Sequence, residues 1–117
     1  MKLSVYLSAV RSRDELVDTV KPDVVITSSA SDPTAVSPIP VTFTFTEDVT
    51  GFVVGDITVG NGTAGSFATV NGSLYTASIT PTGAGAVTVD VAGGVCADVT
   101  GNTNNAAVQF SILYAGV

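Results

Sequence analysis

The chain has 117 residues, enough for one domain, with 45% hydrophobic residues to build a core and only 12% charged residues. All four basic residues, Lys2, Arg11, Arg13 and Lys21, fall within the first 21 positions, and residues 22–117 carry seven acids and no Lys or Arg. A stretch without cations has nothing to neutralise a phosphate backbone or an anionic lipid surface, which excludes nucleic acid and membrane as partners of that part.

Histidine is absent. Its absence removes the commonest general base, the commonest metal ligand and every Ser-His or Cys-His nucleophile. The single cysteine, Cys96, forbids an intrachain disulfide and is expected to be a small buried hydrophobe. These residue types favour a structural or binding module over an enzyme.

In chain order, Leu3–Val10 alternates like a strand, and Arg11–Val20 is polar and charged, with room for a short helix around Asp14–Val17. A signal peptide is not expected there. The apolar run is short, contains two Ser, and ends in Arg11-Ser12-Arg13 without a small-x-small cleavage site. No segment is long enough to span a membrane as a helix. Val24–Thr27 is a short strand candidate, followed by Val41–Thr46, in which Val41, Phe43 and Phe45 alternate with Thr. That alternation is the mark of a half-buried strand with Thr facing water. Phe52 is expected to plug the core. Ile57–Val59 and Ser66–Val70 are further strand candidates.

Asn61-Gly62 and Asn71-Gly72 each read as a hairpin turn, because both residue types tolerate positive φ. No Lys follows the glycines of residues 60–65, so they do not form a phosphate loop. In Leu74–Ile79, Tyr75, Ala77 and Ile79 share one face. Pro81-Thr82-Gly83 marks a reversal before Val87–Val91, where Val points inward, and Gly101-Asn102 marks another. Val108, Phe110 and Ile112 alternate in the last strand. With 20 Val and 16 Thr, and turn residues at short intervals, the expected fold is all-β. Its expected form is a two-sheet antiparallel immunoglobulin-like sandwich of about seven strands with an N-terminal extension. The extension is assigned to residues 1–21 and the sandwich to residues 22–117.

Several blocks, taken together, resemble a known family. They include Val24-Val25-Ile26-Thr27, Phe45-Thr46-Glu47-Asp48-Val49-Thr50-Gly51-Phe52, Gly55-Asp56-Ile57-Thr58-Val59 and Ala97-Asp98-Val99-Thr100-Gly101-Asn102. In this order they resemble the bacterial immunoglobulin-like (Big) repeat domains of surface and secreted proteins, over residues 23–114. The resemblance implies a spacer or adhesive role and names no ligand.

Two readings of Leu3–Val10 stand side by side: an edge strand added to its own sandwich, or a strand docked on another chain through Leu3, Val5, Tyr6 and Leu7. A chain that keeps Met1 without an export signal needs another route outside the cell, and a phage virion supplies one. The expected role is therefore a virion decoration protein on the virion surface, with capsid or tail subunits as partners. The alternative is a domain of a bacterial cell-surface adhesin, among neighbouring surface domains and in reach of a host-surface glycan. No cofactor is expected beyond one candidate. In an immunoglobulin-like order, Asp23, Glu47, Asp48, Asp98 and Asn102 share one end of the sandwich, an oxygen-rich set suited to calcium. Ordinary turn capping by the same Asp and Asn side chains is the competing expectation.

Overall fold

The computed structural model describes residues 19–116. The anchoring residues Leu3, Val5, Tyr6 and Leu7 lie outside that range. Seven strands form: β1 (Val24–Thr27), β2 (Ile39–Phe45), β3 (Ile57–Gly60), β4 (Gly62–Asn71), β5 (Leu74–Pro81), β6 (Gly85–Val91) and β7 (Phe110–Tyr114). One sheet has the order β1-β2-β5-β4 and the other β3-β6-β7, with every strand pair antiparallel. The all-β sandwich expected from the alternation is the fold observed.

Period-two patterning fixes which side chains meet. Val41, Phe43 and Phe45 of β2 are buried, as are Tyr75, Ala77 and Ile79 of β5. Opposite them, Val87, Val89 and Val91 of β6 are buried from the second sheet. Each fully buried side chain of this size contributes about 1.5–3 kcal/mol relative to exposure. Phe52, in the link between sheets, enters the core as expected. Its ring meets Tyr75 at 5.0 Å, Phe45 at 5.1 Å, Phe43 at 5.5 Å and Phe67 at 5.6 Å, all edge-to-face. This is the electrostatically preferred aromatic arrangement.

Asn71-Gly72 does turn a hairpin between β4 and β5, with Asn71 opposite Leu74. Neither residue adopts positive φ. The corner is instead held by the Asn71 Oδ1 atom, which accepts from the Ser73 backbone N–H at 2.9 Å and its hydroxyl at 3.1 Å. Asn61-Gly62 is a correction. It joins β3 to β4, which belong to opposite sheets, so it is a sheet-crossing corner and not a hairpin. Asn61 takes φ +60° there and donates from Nδ2 to the Gly83 carbonyl at 2.9 Å. Gly62 is needed because a Cβ would fall 2.8 Å from the Thr80 carbonyl oxygen. Hairpin and crossover corners share turn residues, and only partner availability separates them.

The last strand is a second correction. β7 begins at Phe110, opposite Val89, and Val108 is 90% exposed in the preceding loop. Beyond Val89 the chain leaves that register, and the Val91 carbonyl at the end of β6 accepts from the Ala107 N–H at 3.0 Å.

Candidate functional site

Antiparallel pairing brings several chain ends to one pole. β1 begins where β2 ends, with Val24 opposite Phe45, and the β4–β5 hairpin reaches the same level, with Thr44 opposite Leu74. Residues 92–109 fold across this pole. Thr50 and Ala97 exchange two backbone hydrogen bonds, and the Asn105 N–H donates to the Pro22 carbonyl at 2.9 Å. The opposite pole holds the end of β7. There the Ala115 N–H donates to the Thr34 carbonyl, and Gly116 lies beside Ala84. The sandwich is thus entered at one pole and left at the other.

Asn104 organises the first pole. It is fully buried, and its Oδ1 accepts from the Val95 N–H (2.9 Å) and the Cys96 N–H (3.1 Å). Its Nδ2 donates to the Ala92 and Asn105 carbonyls, both at 3.0 Å. One side chain thereby satisfies four backbone groups that the β6–β7 loop leaves unpaired. Nothing local in the sequence singles out Asn104. An Asn without a following Gly carries no turn signal, and its value lies in contacts made by the folded loop.

Of the five acidic-cluster residues, the structure joins Asp98 and Asn102. Asp98 is buried, and its Oδ1 accepts from the Thr100 N–H (3.1 Å), the Thr100 hydroxyl (3.0 Å) and the Asn102 N–H (2.8 Å). Its Oδ2 accepts from Asn102 Nδ2 at 3.1 Å. Asp23 sits at the same pole, and its Oδ1 accepts from Asn105 Nδ2 at 2.8 Å. Asp48 is exposed beside the hairpin tip, its carboxyl pressed close to Gly72. Glu47, next in the chain, is half-buried. Among the described residues, no three His, Cys, Asp or Glu side chains gather where they could hold a metal ion.

Burial alone would push the Asp98 carboxyl up, but the hydrogen bonds from Asn102 and then Thr100 outweigh it and hold it down at about 2, against an ordinary 3.8. A group with the lower folded value favours the native state above its unfolded pKa. That contribution fades as pH falls through about 4 toward 2. Asp98→Asn is expected to flatten this acid loss, which thermal melts at a series of pH values across that window would read. An unchanged acid slope would contradict it.

Cys96 is buried, and burial, then the nearby Asp56 charge, pushes its thiol up to about 11. It is the inert packing residue expected, because the thiolate is the reactive form.

The other feature of note is a groove of about 420 Å³ on one flank, lined by Val24, Val25 and Ile26 and by Val108, Gln109, Phe110 and Ser111. It exists because β1 and β7 are the outermost strands of their respective sheets on this side.

The fold and the pole loops define a class, the immunoglobulin-like sandwich held by packing and loop hydrogen bonds. A family model described as bacterial Ig-like domain matches residues 18–114. The chain belongs to that family, as the sequence blocks implied. No curated protein and no solved structure matches it. Domains of this family are structural modules, generally non-catalytic and typically surface-exposed. Among the described residues no helix is long and apolar enough to cross a membrane.

Proposed function

We propose that the chain is a non-enzymatic module displayed on the outside of an assembly, a phage virion in the first instance, and attached through residues 1–21. The observation that carries this is the polarity of the sandwich. Residue 22 enters at the pole closed by Asn104 and Asp98, while Ala115 and Gly116 lie at the far pole. A body attached at its entry therefore projects by its full length. Its surface, free of cations after Lys21, gives no purchase to nucleic acid or anionic lipid. The partners are protein subunits of a capsid or tail.

A spacer or adhesive domain of a bacterial surface protein is the second reading. Entry and exit at opposite poles favour it, because they let domains follow one another in line. Far-pole loops would then be the part that meets a host glycan. Deleting residues 1–21 separates the two. A decoration protein is expected to lose particle binding while keeping its β circular dichroism. Undiminished binding by the deletion would overturn attachment through that segment. Detection of these peptides only within a much larger protein would overturn the virion reading.

A further inference from the structure

The chain has five asparagines, Asn61, Asn71, Asn102, Asn104 and Asn105, and two of them, Asn61 and Asn71, precede a glycine. Four have the side-chain amide nitrogen held. Asn61 Nδ2 donates to the Gly83 carbonyl at 2.9 Å, and Asn102 Nδ2 to Asp98 Oδ2 at 3.1 Å. Asn104 Nδ2 donates to the Ala92 and Asn105 carbonyls, and Asn105 Nδ2 to Asp23 Oδ1 at 2.8 Å. Asn71 is bonded the other way round. Its Oδ1 accepts from the Ser73 N–H at 2.9 Å and the Ser73 hydroxyl at 3.1 Å, while among the described residues its Nδ2 has no acceptor. Asn71 is also exposed, at the tip of the β4–β5 hairpin.

We propose that Asn71-Gly72 is a site of spontaneous succinimide formation, at which Asn71 of the folded protein converts to aspartate and isoaspartate while Asn61 stays as asparagine. The Gly72 nitrogen attacks Asn71 Cγ, and glycine favours this step because no side chain stands beside its nitrogen. As the new N–Cγ bond forms, negative charge develops on Oδ1, where the two Ser73 donors already sit. Collapse breaks the Cγ–Nδ2 bond, and Nδ2 leaves as ammonia with the proton from the Gly72 nitrogen. Water then opens the ring. Opening at Cγ gives aspartate. Opening at the main-chain carbonyl gives isoaspartate, in which the chain runs through the former side chain and is one methylene longer. Water is the co-reactant, and nothing is oxidised or reduced.

Asn61-Gly62 carries the same dipeptide without these features. Its leaving nitrogen is tied to Gly83, its carbonyl accepts from the Thr82 N–H at 3.0 Å, and Gly62 is paired with Pro81 inside a strand. Ring closure there has to break the Gly83 bond and shift the start of β4.

The conversion reaches beyond the hairpin tip. The Gly72 carbonyl accepts from the Val49 N–H at 2.9 Å and from the Tyr75 hydroxyl at 3.1 Å, so it latches the hairpin to the link between the sheets. An isoaspartate at position 71 displaces that carbonyl. Either product adds one negative charge to a chain already at −6, close to the Asp48 carboxyl that lies against Gly72.

Incubation of the full chain in mildly alkaline buffer, native and in concentrated urea, followed by chymotrypsin and mass spectrometry, tests this. Cleavage after Phe52, Phe67 and Tyr75 puts Asn61 in residues 53–67 and Asn71 in residues 68–75. From native protein the 68–75 peptide is expected to gain about 1 Da and to separate into two isomers. It should do so on the order of tenfold faster than the 53–67 peptide. In urea the two rates are expected to converge. Native Ser73→Ala, verified as folded by circular dichroism, is expected to convert several-fold more slowly, with its rate in urea unchanged and the native rate restored in Ser73→Thr. Native conversion of Asn61 as fast as that of Asn71, or conversion of Asn71 only in urea, would overturn the proposal. An undiminished native rate in Ser73→Ala overturns the part assigned to Ser73. The isoaspartate form, isolated by anion exchange, is expected to melt below the unmodified protein, and an equal midpoint overturns the latch.

Discussion

Asn104→Ala is expected to destabilise the fold by on the order of 3 kcal/mol, without touching a single apolar core residue. The magnitude follows from what the substitution strands. The Val95 and Cys96 N–H groups lose their common acceptor, and the Ala92 and Asn105 carbonyls lose their common donor. Each buried polar group left unpaired costs about 1–3 kcal/mol, and partial exposure of Val95 and rearrangement of the loop recover some of it. Urea unfolding should show the midpoint fall at constant slope. A loss below about 1 kcal/mol would mean that the loop finds other partners and that Asn104 is not its organiser. The damage should be local first, with exchange of the Val95 and Cys96 amides rising before that of the strands.

Phe52→Ala is expected to cost about 3–5 kcal/mol, the range for emptying a core aromatic site. Four rings face Phe52, and they project from both strands of the inner pair, β2 and β5, and from the edge strand β4. Removing the hub takes away the burial and the edge-to-face contacts together. Phe67 is affected most, because it is only half-buried on an edge strand and leans on Phe52 and Tyr75. Phe52→Leu should recover much of the loss by refilling volume, while leaving out the aromatic contacts. Denaturant titration of the two variants measures the difference. Full recovery by Phe52→Leu would show that ring geometry contributes nothing beyond volume.

The strands were legible because period-two patterning is a local property. Val41-Thr42-Phe43-Thr44-Phe45 can bury one face only as a strand, and β2 is there. Phe52 was legible as a core residue because a Phe between polar and glycine-rich segments of a small sandwich has few other places to go. The two corrections have one cause. Asn61-Gly62 and Val108 were read from their own chemistry, whereas their structure depends on which strand lies alongside. β3 finds β6 rather than β4, and β7 finds β6 only from Phe110 onward.

The candidate site divides in the same way. Asp98 and Asn102 are close in sequence, so their turn could be anticipated from Asp-x-x-x-Asn capping chemistry, and the structure forms it. The expected gathering of Asp23, Glu47 and Asp48 around them depends on side-chain directions that sequence separation does not encode. Asp23 turns to Asn105, 82 positions away, and Asp48 to the β4–β5 hairpin. Asn104 and the β1–β7 groove had no local signature at all.

The sequence by itself determined the all-β class, the core faces, the family and the division between a mixed-charge start and a sandwich without cations. These follow from residue type and spacing along the chain. Only the tertiary structure decided which corners cross between sheets, which Asn is buried as a staple, and which strands lie at the sheet edges. Those depend on contacts between distant segments, where the partner's position decides the free energy of each polar group and edge.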